Sequence, residues 1–193
     1  WKRRSFSDRD NQRWYHGATV IASIGQGAML APPLQLASAT ATRATRGKRY
    51  KPHMVAAVED GLTGERRIIQ PERMPDVEIS NEIYWEYVLG AMHDVMQGTR
   101  GTARAVGLGA PYEMAGKSGT AQVVSIAQDK EYDDEELEER QRDHALFISF
   151  APFDEPRIAV ALIVENGESG SGVAAPIAKS IMDAYLGYGD DAP

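Results

Sequence analysis

Five consecutive residues, Gly116-Lys117-Ser118-Gly119-Thr120, set a cation and two hydroxyls between side-chain-free positions. Lysine before serine is half of a phosphate-binding loop. That loop has the form GxxxxGK[ST] and leads into a helix whose N-terminal N–H groups face the phosphate. Here the first glycine would have to stand at position 111, which is Pro111, and the nearest glycine is Gly109. The downstream residues Thr120-Ala121-Gln122-Val123-Val124 read as strand and not as helix. Nucleotide binding fails on both counts.

The same residues suit acyl transfer by active-site-serine enzymes. These combine an SxxK, an S-x-N and a lysine–hydroxyl–glycine triplet on a strand at the edge of a cleft. In that chemistry the lysine brings positive charge to the substrate carboxylate and the catalytic proton network, and the hydroxyl hydrogen-bonds the carboxylate. Glycine lets substrate lie against the strand backbone. The next residue aims its N–H at the developing oxyanion. Lys117, Ser118, Gly119 and Thr120 fit these four roles in order. A KSG triplet alone is weak evidence, since it is common in loops, and the surrounding sequence has to carry the weight.

Other chemistries find little support. The four histidines (His16, His53, His93, His144) lack the i, i+3 or i, i+4 pairing of a helical metal site, and there is no HExxH. Neither metal nor cofactor is expected. With no cysteine in the chain, disulfides and thiolate ligands are excluded. The 193 residues are 42% hydrophobic and 25% charged, the balance of a globular domain. The formal charge of −7 argues against a nucleic-acid partner. Most of it sits in Gln128–Asp143, which carries nine acids and three bases. This segment reads as a solvated connecting helix, with Glu136→Arg140 and Glu138→Arg142 at i, i+4. The first residue is Trp1 and not Met, so earlier polypeptide is expected to have been removed.

The elements that must position the KSGT residues can be read from periodicity and punctuation. The opening reads as a surface loop with a short buried piece at Ala18–Ile24. Pro32-Pro33 introduces a helix over Leu34–Arg46 that stops at Gly47. Met54–Glu59 and Glu65–Gln70 flank a five-residue turn and predict a hairpin. Ser80 is a candidate N-cap for a helix ended by Gly98, with Ile83, Tyr84, Tyr87, Val88, Ala91, Met92, Val95 and Met96 as its core stripe. Tyr112–Ile126 ends as a strand, and His144–Ala151 and Arg157–Glu165 predict an antiparallel pair. Val173–Leu186 closes as a helix with Val173, Ile177, Ile181, Met182, Tyr185 and Leu186 on one side. The class is α+β.

Gly116–Val123 resembles the third motif of class B penicillin-binding proteins. Arg142-Asp143-His144 with Ala145–Pro152 is similar to the next strand of the family's elongation branch, penicillin-binding protein 2, and Ile158–Gly167 to the strand after it. Ile24-Gly25-Gln26-Gly27 and Ala31–Ala37 resemble the same family's loop and helix. The likeness runs from about Trp14 to Leu186. The Gln after Thr-Ala and the charged insertion before Arg142 favour elongation over division.

The resemblance implies the transpeptidase, serine β-lactamase-like fold: an antiparallel β-sheet flanked by helices, five strands of which this C-terminal portion holds the last three. Residues 1–186 would be part of the transpeptidase domain and 187–193 a tail. It implies a DD-transpeptidase that cross-links peptidoglycan stem peptides at the periplasmic face of the inner membrane, works with the cell-elongation machinery and is acylated by β-lactams. Lys117 and Thr120 would be catalytic. Ser118, Gly119, Thr120 and Gln122 would bind substrate, which adds to the edge strand as a further strand.

No serine here has a lysine three residues on or an asparagine two residues on, so SxxK and SxN are both missing from these 193 residues. The nucleophile is expected in the N-terminal part of the same polypeptide, and the chain alone is expected to be inactive. A non-catalytic scaffold of the same fold is the alternative; SxxK and SxN upstream would decide against it.

Overall fold

The computed structural model describes residues 2–26, 30–123 and 139–189. The chain groups into two compact units, Trp1–Pro32 and Pro33–Pro193.

Among its described residues the first unit contains three short helices, α1 (Lys2–Ser5), α2 (Arg9–Gln12) and α3 (His16–Ser23). Asp8 starts α2 by accepting a hydrogen bond from the Asn11 N–H at 3.3 Å. The opening is therefore helical where a loop is expected from sequence. The expected buried piece is an exposed helix: α3 has no buried residue, and Val20 and Ile24 are 65% and 72% exposed. A unit this small has too few side chains to cover an apolar helix.

The second unit runs α4 (Pro33–Ala44), β1 (Arg49–Tyr50), β2 (Ala57–Glu59), β3 (Arg66–Ile68), β4 (Arg73–Met74), α5 (Ile83–Gln97), α6 (Arg104–Gly107), β5 (Ala115–Ala121), β6 (His144–Ala151), β7 (Ile158–Val164), a π-helical turn (Gly170–Ala174) and α7 (Ala175–Leu186). Proline opens α4, and Gly47 at φ +97° comes after its end, as the punctuation predicts. β2 and β3 form the expected hairpin, Val58 opposite Arg67. Its turn is closed by Asp60, whose Oδ1 accepts from the N–H groups of Leu62 and Thr63 at 2.8 and 3.0 Å.

The main sheet is antiparallel in the order β5-β6-β7. Helices flank it on both faces, as the α+β expectation requires. Ala145, Phe147, Ala151 and Val160 pack against Ala174, Ala175, Ala178 and Met182 of the turn and α7. On the opposite face Ala115 and Phe150 meet Ala44 of α4 with Trp85, Leu89 and Met92 of α5. Helices cover both faces of the central strand β6, so its sequence is a continuous apolar run rather than an alternating one.

Three expectations are corrected. α5 starts at Ile83, where the Asn81 side chain accepts from the Ile83 N–H at 3.0 Å, so Ser80 is not the cap. Its buried line is Trp85, Leu89, Met92 and Met96, whereas Ile83, Tyr84, Tyr87 and Val88 are exposed. Both lines have helical spacing. The sheet takes the one with Trp and Leu and leaves the tyrosine hydroxyls hydrated. The predicted face of α7 is split: Met182 is buried with Ala175 and Ala178 and Leu186 packs partly against the core, whereas Ile177, Ile181 and Tyr185, and Val173 in the turn before the helix, stay exposed. Small residues face inward because the helix lies close on the sheet. The strand predicted within Tyr112–Ile126 is Ala115–Ala121, and Val124–Ile126 lie outside the described residues. Most of the acidic segment, with Glu136 and Glu138, lies outside them as well.

Candidate functional site

The five residues singled out for chemistry lie on β5, the strand at one edge of the main sheet among the described residues. Their register against β6 is Gly116 opposite Ser149, Lys117 opposite Ile148, Ser118 opposite Phe147, Gly119 opposite Leu146 and Thr120 opposite Ala145. Gly116 is glycine for want of space: a Cβ there would stand 2.8 Å from the tip of the buried Phe147 ring. The aromatic side chain thus holds the strand from behind, just ahead of Lys117.

Strand geometry decides which backbone groups face outward. A Cβ built on Gly170 would meet the Leu146 O, the Gly119 O and the Gly119 N at 2.6, 2.7 and 3.0 Å, so these three polar atoms lie together. The N–H and C=O of Gly119 therefore point towards β6. Successive residues of a strand direct their hydrogen-bonding groups to opposite sides. The N–H and C=O of Thr120 accordingly point away from β6 to the open edge, as do those of Ser118. An extended peptide laid along this edge meets a row of donors and acceptors.

Side chains alternate across the strand. Lys117 is exposed, and its ammonium curls to the edge, where it donates to the Ser118 carbonyl at 2.5 Å. Ser118 is half-buried, Thr120 is exposed, and Gln122 is exposed just past the end of the strand. The edge thus carries a cation, two hydroxyls and outward backbone dipoles. No metal-binding grouping of His, Asp and Glu occurs among the described residues. A cleft of about 760 Å³ in the second unit lies elsewhere, between α4, the β1–β4 ribbon and Trp85, and includes none of the KSGT residues.

Two features of the site's surroundings were not anticipated from sequence. Ser149, opposite Gly116, is fully buried in β6 and its hydroxyl has no hydrogen-bond partner among the described residues. A serine inside an apolar run was its signal. The second feature is the turn after β7. Asn166 and Glu168 adopt left-handed conformations at φ 56° and 58°, which non-glycine residues seldom do. This turn is tied to the residues entering β6: the Glu168 N–H donates to the Asp143 carbonyl at 2.8 Å and the Asn166 N–H to His144 Nδ1 at 3.0 Å. The glycines of Asn166-Gly167-Glu168-Ser169-Gly170 were its signal in the sequence.

The chain as a whole has counterparts among known proteins. A family model described as the penicillin binding protein transpeptidase domain matches residues 4–183. The peptidoglycan D,D-transpeptidase MrdA of Acinetobacter baumannii is 44% identical over 190 residues, 96% of this chain and 26% of its own length. MrdA of Haemophilus influenzae is 37% identical over 186 residues, 96% of this chain and 28% of its own length. Among solved structures, Pseudomonas aeruginosa PBP2 in complex with WCK 5153 superposes with a TM-score of 0.75 at 42% identity, covering 100% of this chain and 38% of that one. Helicobacter pylori PBP2, solved as a complex with MreC, gives 0.69 at 30% identity over 93% of this chain and 30% of that one. The chain thus spans little more than a quarter of the length of these curated relatives.

Proposed function

The chain belongs to the penicillin-binding protein transpeptidase family, and from that premise we propose that it forms the KSGT wall of a serine-type peptidoglycan DD-transpeptidase of the elongation type. The observation that carries this reading is the edge position of β5, with the Thr120 N–H outward and the Lys117 ammonium on the Ser118 carbonyl of the same edge.

In the proposed reaction a serine hydroxyl supplied by the N-terminal part of the polypeptide attacks the penultimate peptide carbonyl of a stem peptide. The carbonyl carbon–serine oxygen bond forms, the terminal D-amino acid leaves with a proton, and an amine from a second stem peptide resolves the ester. The Thr120 N–H stabilises the oxyanion of each tetrahedral intermediate. Lys117 and Ser118 hold the terminal carboxylate, and a charge-assisted contact of this kind is roughly twice as strong as a neutral one. Gly119 leaves room for substrate, and Gln122 extends the backbone pairing beyond the strand end. A β-lactam enters as a substrate mimic whose ring opens on the same serine.

Residues 1–186 are then part of one transpeptidase domain and 187–193 a tail. The working protein stands at the periplasmic face of the inner membrane with the cell-elongation machinery. The Helicobacter pylori relative's complex with MreC supports that partnership. No helix among the described residues is long and apolar enough to cross a membrane.

The test is covalent labelling. A fluorescent penicillin should acylate a polypeptide that joins this chain to an upstream SxxK and SxN, and intact-mass spectrometry should find no adduct on the 193 residues alone. Failure to label the longer protein overturns the proposal and leaves the scaffold alternative, whereas acylation of the isolated chain overturns the reading that its nucleophile lies upstream.

A further inference from the structure

We propose that Gly170 is a positioning residue for acyl transfer: its bare α-carbon, seated on the Gly119 peptide, sets the direction of the Thr120 N–H. This rests on the reading of β5 as the wall of the site and extends it to a residue outside the KSGT strand.

Gly170 is buried, and a Cβ there would stand 2.6 Å from the Leu146 O, 2.7 Å from the Gly119 O and 3.0 Å from the Gly119 N. All three are backbone atoms, which cannot swing aside as a side-chain tip does. Its φ lies outside the left-handed region, so the conformation does not demand glycine and only the lack of space does. The Gly119 carbonyl and the Thr120 N–H belong to one planar peptide unit. Anything that pushes the oxygen therefore turns the N–H, and that N–H is the donor assigned to the oxyanion.

Gly170 also has no freedom to back away. Ser169, just before it, caps the π-helical turn by accepting from the Gly172 N–H at 2.9 Å. Ala174 and Ala175, just after it, are fully buried against the core. Upstream, Asn166 donates from Nδ2 to the Arg142 carbonyl at 2.9 Å, and Glu168 pairs with the Arg142 guanidinium at 2.9 Å. These bonds lead to the residues entering β6, where His144 lies opposite Ala121 of β5. The turn is a strut between the core and the site strand, and Gly170 is its point of contact.

The experiment uses the intact, unacylated full-length protein that contains this chain. Time-resolved labelling with a fluorescent penicillin separates pre-covalent binding from the acylation rate constant, per mole of folded protein measured by circular dichroism. Gly170→Ala should slow acylation by about tenfold or more, because a misplaced reacting group is costly in rate. Binding should change by less than about threefold, since the lost interaction is made in the transition state. Gly98→Ala, at the end of α5 and outside this turn, is the control: a Cβ there would stand 2.6 Å from the Asp94 O, a comparable clash with backbone. It should lower the melting temperature and leave both constants unchanged.

Equal losses in the two variants, or an unchanged rate in Gly170→Ala, overturn the proposal. If Gly170→Ala does not fold, Glu168→Gly loosens the same turn without crowding and should slow acylation by about threefold; an unchanged rate there also overturns it. Lys117→Ala, run in parallel, separates the two levels. A slow Lys117→Ala beside a normal Gly170→Ala removes only the role of Gly170, whereas a normal Lys117→Ala removes the assignment of β5 itself.

Discussion

The Tyr112 hydroxyl donates to Asp183 Oδ1 at 2.8 Å, joining the segment that enters β5 to the middle of α7 across 71 positions of sequence. The other carboxylate oxygen of Asp183 accepts from Lys179, one helical turn earlier, at 2.5 Å. The pair thus fixes the root of the site strand to the helix covering one face of the sheet.

That relationship has a pH signature. Burial, then the hydrogen bond to Asp183 and its negative charge, push the Tyr112 hydroxyl above the ordinary phenolic range. Its folded-state pKa is raised, so the folded chain holds the proton more tightly than the unfolded chain. The stabilisation is complete below the unfolded value of about 10 and is lost as pH rises from there through the folded value. Melting temperatures followed from pH 8 to about 11 should fall more steeply in the wild type than in Tyr112→Phe. Parallel curves would show that the tyrosine does not carry this dependence.

Lys117→Ala should cut the acylation rate of the full protein by about a hundredfold, the scale of losing one electrostatic contact at a reacting centre. The side chain is exposed, so the melting temperature should hardly change. A large loss of stability with a normal labelling rate would make the lysine structural.

The face of α5 can be tested by truncation. Trp85 is 9% exposed and Tyr87 is 65% exposed. Trp85→Ala should cost about 3–5 kcal/mol in denaturant unfolding. Tyr87→Ala should stay within roughly 0.5 kcal/mol if no other surface covers it in the protein measured. The reverse order would restore the tyrosine face as the core.

Gly47 closes α4 at φ +97°, and a Cβ there would lie 2.8 Å from the Val77 carbonyl oxygen. Gly47→Ala therefore meets strain and crowding together and should destabilise by about 1–3 kcal/mol. Gly61→Ala, in the hairpin turn with open space around its α-carbon, is the comparison and should be nearly silent in the same unfolding experiment.

Much of this protein was legible from its residues because local chemistry governs those parts. The KSGT stretch, the hairpin turn around Asp60, the proline and glycine that bound α4 and the antiparallel pair around Pro152 each depend on neighbours in sequence. Strand-like composition with β-branched residues placed Lys117 on a strand. Tertiary structure decided what depends on distance. Two apolar faces of equal periodicity exist on α5 and α7, and only the sheet's shape selects Trp85 over Tyr87 and Ala178 over Ile177. No spacing rule joins Gly170 to Gly119, because 51 residues separate two backbones that meet only after β6 and β7 have turned the chain back on itself. Local pattern records which conformation each segment prefers, whereas close approach between segments is set by packing, which a one-dimensional pattern does not contain.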